Sequence, residues 1–118
     1  MKNEINNLVG FCHKAYFDAG WWSGVSVSQP YVVPTKLCLV HSEISEAMEG
    51  HRKDLMDDHL PNRKMVEVEL ADAVIRIFDL AGAMNLDLGG AIEDKMKYNK
   101  NRSDHKLNNR KKAGGKSY

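Results

Sequence analysis

Cysteine is scarce in this 118-residue chain: only Cys12 and Cys38 occur, with neither the spacing of a metal or redox motif nor the density of a disulfide framework. They read as reduced residues at or near a core, and a cytoplasmic protein is expected. Proline is limited to three residues, which excludes a Pro-rich disordered chain, and aromatics make up 8%. No long apolar run is present, so neither a secretory leader nor a membrane span is expected. An excess of one charge sign is missing too. Lys and Arg total 17 against 16 Asp and Glu, a formal net charge of +1, which gives no global field to draw nucleic acid or an anionic membrane.

What is present is helical periodicity. Ile5, Leu8, Val9, Cys12, Ala15 and Tyr16 recur at helical spacing and predict a helix over 2–19 closed by Gly20. The segment from Trp21 to Pro30 is rich in Gly and Ser and reads as a long loop, a feature that often carries function. A second helix is expected from about Pro34 to Lys53, with an apolar stripe of Leu37, Val40, Ile44 and Met48 toward the core. A third is expected from about Lys64 to Met84, apolar around most of its surface. Asp87 caps a fourth, running to about Asn101. These elements predict an all-α protein, an antiparallel four-helix bundle over residues 1–102 followed by a basic tail over 103–118. One domain of this size buries a modest fraction of its surface, so pairing with another copy would add to its core.

The chemistry concentrates in two acidic pairs. Glu43 and Glu46 stand at i, i+3 on the second helix, and Glu69 and Asp72 repeat that spacing on the third. Each pair projects from one helix face. Such a pair is more often a solvated surface than a site. Here, however, Glu43 borders the apolar stripe, and Glu69, Asp72, Arg76 and Asp79 form one polar strip on an otherwise apolar helix. Two carboxylates about 5 Å apart repel by roughly 3 kcal/mol at an effective dielectric of about 20. Four gathered together therefore demand protons or divalent cations, and oxygen-only donors suit Mg²⁺, with Mn²⁺ as a possible substitute.

The segments Leu39–Ala47 and Val68–Arg76, together with Lys95, Asn99 and Arg102 in a KxxxNxxR pattern and the ending Gly114-Gly115-Lys116, resemble the ExxE…ExxD signature of MazG-like all-α nucleoside triphosphate pyrophosphatases. Nearly the whole chain is covered. Many members carry a further acid just before the first Glu, where this chain has Ser42. The resemblance implies a bundle completed as a homodimer or homotetramer, with Mg²⁺ held by Glu43, Glu46, Glu69 and Asp72. It also implies hydrolysis of a (d)NTP between the α- and β-phosphates in nucleotide-pool housekeeping. Glu46, with Glu43, is the candidate for activating water.

Lys95, Asn99 and Arg102 share a helix face at i, i+4 and i+7. On spacing alone they serve equally as a basic helix terminus or as phosphate and nucleoside contacts. Lys53 is a further phosphate candidate. His13 and Trp22 are candidates for the base, with Trp21 assigned to packing, and Arg76 is expected to pair with Asp72 or Asp79. Two other readings stand beside this one. The first is an enzyme like phosphoribosyl-ATP pyrophosphatase. The second is a non-catalytic helical interaction module, which would bind neither Mg²⁺ nor nucleotide. Nucleic-acid binding through Lys106, Arg110, Lys111, Lys112 and Lys116 is not favoured by the near-neutral charge.

Overall fold

A computed structural model describes residues 1–102 and 107–117; Lys106 of the basic tail lies outside the described residues. They form five helices and no strand: α1 (Lys2–Asp18), α2 (Val32–Arg52), α3 (Met65–Ala83), α4 (Leu88–Asn101) and the short α5 (Leu107–Arg110). None is long and apolar enough to cross a membrane. Two compact units result, Asn7–Leu86 and a second made of Met1–Asn6 with Asp87–Tyr118.

In the larger unit, helix ends are set by one recurring device. After α1, Gly20 adopts φ 91°. The Gly20 amide then bonds the Phe17 carbonyl and the Trp21 amide bonds the Tyr16 carbonyl, each at 3.1 Å. This is a Schellman motif, and Gly20 takes its left-handed position without a Cβ penalty. The same pair of bonds closes α2 at Asp54 (φ 50°) and α3 at Asn85 (φ 55°). Helix α2 starts two residues earlier than Pro34 suggests. Pro34 still lies in the first turn, where an amide has no intrahelical partner to lose.

Helices α2 and α3 pack antiparallel. Gly50 near the end of α2 lies against Met65 at the start of α3, while Glu43, earlier in α2, meets Arg76 late in α3. The buried positions of α2 are Glu43, Ala47 and Gly50; those of α3 include Glu69, Ala73 and Leu80. Each set follows helical spacing, so these faces form the interhelical seam. Small residues at Ala47, Gly50 and Ala73 allow the backbones to approach. Helix α1 packs on α3 at Gly82, where an added Cβ would lie 2.5 Å from the His13 Cβ.

The seam corrects the expected core of α2. Leu37, Ile44 and Met48 are exposed at 49%, 47% and 64%, whereas Glu43 is buried. Leu70, Val74 and Ile77 of α3 are also substantially exposed. The pair turns its acids inward and leaves apolar side chains in water.

In the smaller unit, Asp87 caps α4 by accepting from the Gly90 amide at 3.0 Å. Asn6 donates to Asp87 at 2.8 Å and accepts from the Gly89 amide at 2.8 Å. Gly89 leaves no room for a Cβ beside the Lys2 carbonyl, so the glycine pair that weakens the helix on propensity is needed for close packing. In the tail, Arg110 donates to the Lys116 and Ser117 carbonyls at 3.1 and 2.9 Å, folding 107–117 back on itself.

Candidate functional site

Glu43, Glu69 and Asp72 each present a carboxylate oxygen, and the three oxygens lie within 4.8 Å of one another. Antiparallel packing produces this convergence: the i, i+3 pair of α2 meets the i, i+3 pair of α3 across the seam. Glu43 and Glu69 are buried and Asp72 is half-buried. Glu46 is exposed at the rim, yet its carboxyl reaches Glu69.

The electrostatics are those of too many negative charges in one place. Glu69 is pushed up to about 8 from an ordinary 4.5, first by burial, then by its hydrogen-bonding contact with Glu43 and by Glu46. Asp72 is raised as well, by burial and the Glu43 charge, with Arg76 opposing. Glu69 Oε2 is buried and has no hydrogen-bond partner among the described residues. Carboxylates only accept, so adjacent ones satisfy each other only by sharing a proton or a cation. Arg76 supplies one positive charge, its Nε donating to Glu43 Oε1 at 2.9 Å. Its partner is thus Glu43 rather than Asp72 or Asp79, because the facing helix brings Glu43 closer than the local i±3 and i±4 neighbours. The donor set is all oxygen, in keeping with a hard divalent cation.

The nucleoside candidates His13 and Trp22 are brought together by a residue the base-pocket reading overlooked. Trp22 Nε1 donates to Asp79 Oδ1 at 2.9 Å, and His13 Nδ1 lies 2.9 Å from the same oxygen. Asp79 is buried on α3, and the two rings meet edge to face at 5.6 Å between centroids. His13 and Trp22 line a pocket of about 180 Å³ together with Phe17 and Val25, while Trp21, expected to pack, lies outside the core. Trp22 is 7% exposed and Trp21 is 65% exposed. The reason is the Schellman turn, which presents Trp21 outward and sends Trp22 back toward α3. Trp21 joins Tyr16, Lys36, Arg76 and Asp79 in lining a pocket of about 170 Å³. Lys36 had no motif to mark it; its position is fixed by its ammonium group, which stands 4.6 Å from the Trp22 ring centroid.

The phosphate candidates fall into two groups. Lys53 caps α2 and forms an exposed ion pair with Glu49 at 2.7 Å. Lys95 and Arg102 both stack on Tyr98 in the smaller unit, at 4.7 and 5.6 Å from its ring centroid. Asn99 follows Tyr98, with its Oδ1 buried and unpartnered among the described residues. Comparison with protein-family models, curated proteins and solved structures finds no match to this chain.

Proposed function

We propose that the acid cluster in the α2–α3 seam makes this protein a metal-dependent phosphohydrolase. Within that class, the motif resemblance favours a MazG-like nucleoside triphosphate pyrophosphohydrolase. The observation that carries the reading is the convergence of Glu43, Glu69 and Asp72 within 4.8 Å, with one buried Glu69 oxygen unpartnered among the described residues. An apolar replacement would pack a helix seam at less electrostatic cost, so burying two acids there beside a half-buried third is better explained by a ligand than by stability.

Glu43, Glu69 and Asp72 would hold Mg²⁺, with Glu46 completing the set from the rim. Bound there, the ion would offset the carboxylate charge against an incoming polyphosphate and acidify a bound water. In the reaction, water adds to the α-phosphorus and the bond to the α,β-bridging oxygen breaks, giving a monophosphate and pyrophosphate. Glu46 is the acid best placed to orient or deprotonate that water, because it borders the cluster while remaining exposed. Arg76 holds the Glu43 carboxylate in place through its hydrogen bond. Lys95, Arg102 and Lys53 are assigned to phosphate and Asn99 to the nucleoside, on the resemblance. The exposed apolar faces of α2 and α3 support self-association into a dimer or tetramer.

The test is a pyrophosphate-release screen over common and damaged (d)NTPs and phosphoribosyl-ATP with Mg²⁺. The expected result is equimolar pyrophosphate and monophosphate from at least one nucleotide. Glu69→Gln should fold and lose at least about a hundredfold in rate, as expected when a group stabilising developing charge is removed. Absence of pyrophosphate from every substrate, or full activity in Glu69→Gln, would overturn the assignment.

A further inference from the structure

We infer that Lys36 determines specificity at this site: a buried tryptophan holds its ammonium group where it meets the carbonyl oxygen of a planar base in the Tyr16–Trp21 pocket. The inference deepens, and rests on, the nucleotide reading above.

The Schellman turn places Trp21 and Tyr16 at the two positions whose side chains that motif brings into contact, and both line the pocket. Two aromatic groups therefore flank one opening on a backbone the turn has fixed. The pocket adjoins the acid cluster through Arg76, which lines it and also bonds Glu43. At about 170 Å³ it is smaller than the roughly 300–1,000 Å³ of a site for a drug-sized ligand. It suits one flat moiety whose phosphates lie outside.

The lining decides which moiety. The Arg76 charge is already matched by Glu43. Lys36 and Asp79 carry opposite charges, so the remaining lining is close to neutral and does not favour phosphate. It offers a donor at Lys36, and an acceptor at Asp79 Oδ2, since both donors that Asp79 receives among the described residues use Oδ1. A heterocycle with a carbonyl beside an N–H or amino group matches that pair, and Trp21 and Tyr16 offer stacking surface. Trp22 acts as a positioning residue. Its ring is pinned by Asp79 and supports the Lys36 ammonium by a cation–π contact at 4.6 Å.

Lys36→Met tests the assignment. The variant should raise KM for the preferred nucleotide about tenfold, the loss of one charge-assisted hydrogen bond, with kcat changed by less than about twofold. Trp22→Phe should raise KM in the same direction, and Lys36→Arg should recover most of the loss. Inhibition by inorganic tripolyphosphate, which has no base, should be equal in wild type and Lys36→Met. Unchanged KM in Lys36→Met, or equally weakened tripolyphosphate inhibition, would overturn the inference while leaving the phosphohydrolase reading intact. If wild type releases no pyrophosphate, tryptophan fluorescence titration with nucleoside monophosphates decides separately. Quenching that is lost in both Trp21→Phe and Lys36→Met supports the pocket, and absence of quenching in wild type overturns it.

Discussion

Glu69 shows how one residue couples fold and chemistry. Its folded-state pKa is raised to about 8 from 4.5, so between those values the native state holds a proton that the unfolded chain has released. Its contribution to stability is therefore complete below about pH 4.5 and is lost as pH rises through about 8. Thermal unfolding in EDTA should show Tm falling across this window, with a shallower fall in Glu69→Gln. Mg²⁺ should raise Tm most at the alkaline end, where the carboxylate is free to bind it. Equal slopes in the two proteins would exclude the shared-proton arrangement. Asp79 is a second residue of this kind. Asp79→Ala would leave Trp22 Nε1 and His13 without their acceptor in a buried setting and should cost roughly 2–4 kcal/mol in urea unfolding. A loss below about 1 kcal/mol would mean that water replaces both bonds.

Among the elements, the turn after α1 links local backbone chemistry to the site. Gly20→Ala forces a Cβ into the left-handed region and should destabilise by about 1–2 kcal/mol. The same change should disturb the Trp21–Tyr16 pocket, seen as a shift in tryptophan emission; stability loss without that shift would uncouple the turn from the pocket. The α2–α3 hairpin is the element on which the metal reading depends. Its seam was partly legible, because the doubled i, i+3 spacing of acids places each pair on one face. The sequence pattern misled at the apolar stripe, since a 3.6-residue period reports an apolar face without saying what covers it. Leu37, Ile44 and Met48 follow that period and still face outward, while Ala47, Gly50 and Ala73 carry the close contact.

For the molecule as a whole, the exposed apolar positions of α2 and α3 predict association. Fully burying one such side chain contributes about 1.5–3 kcal/mol, and seven of them lie on these two helices: Leu37, Leu39, Ile44, Met48, Leu70, Val74 and Ile77. Sedimentation velocity should find a dimer or larger species, and the double variant Ile44→Glu/Val74→Glu should shift it toward monomer with its helical circular dichroism preserved. A wild type that sediments as a monomer at all concentrations would remove the support these faces give to an oligomeric site.

By itself the sequence determined the helical class, the approximate helix limits, the Asp87 cap, the Gly20 stop and the two acid pairs, because each depends on spacing or local backbone preference over a few residues. Only tertiary packing decided which faces of α2 and α3 meet. That choice gives Glu43 the partner Arg76, leaves Glu69 Oε2 without one among the described residues, buries Trp22 on Asp79 and sets Lys36 beside a pocket. These relations join residues dozens of positions apart. Their energies come from burial and charge at close range, which a one-dimensional pattern of residue types does not contain.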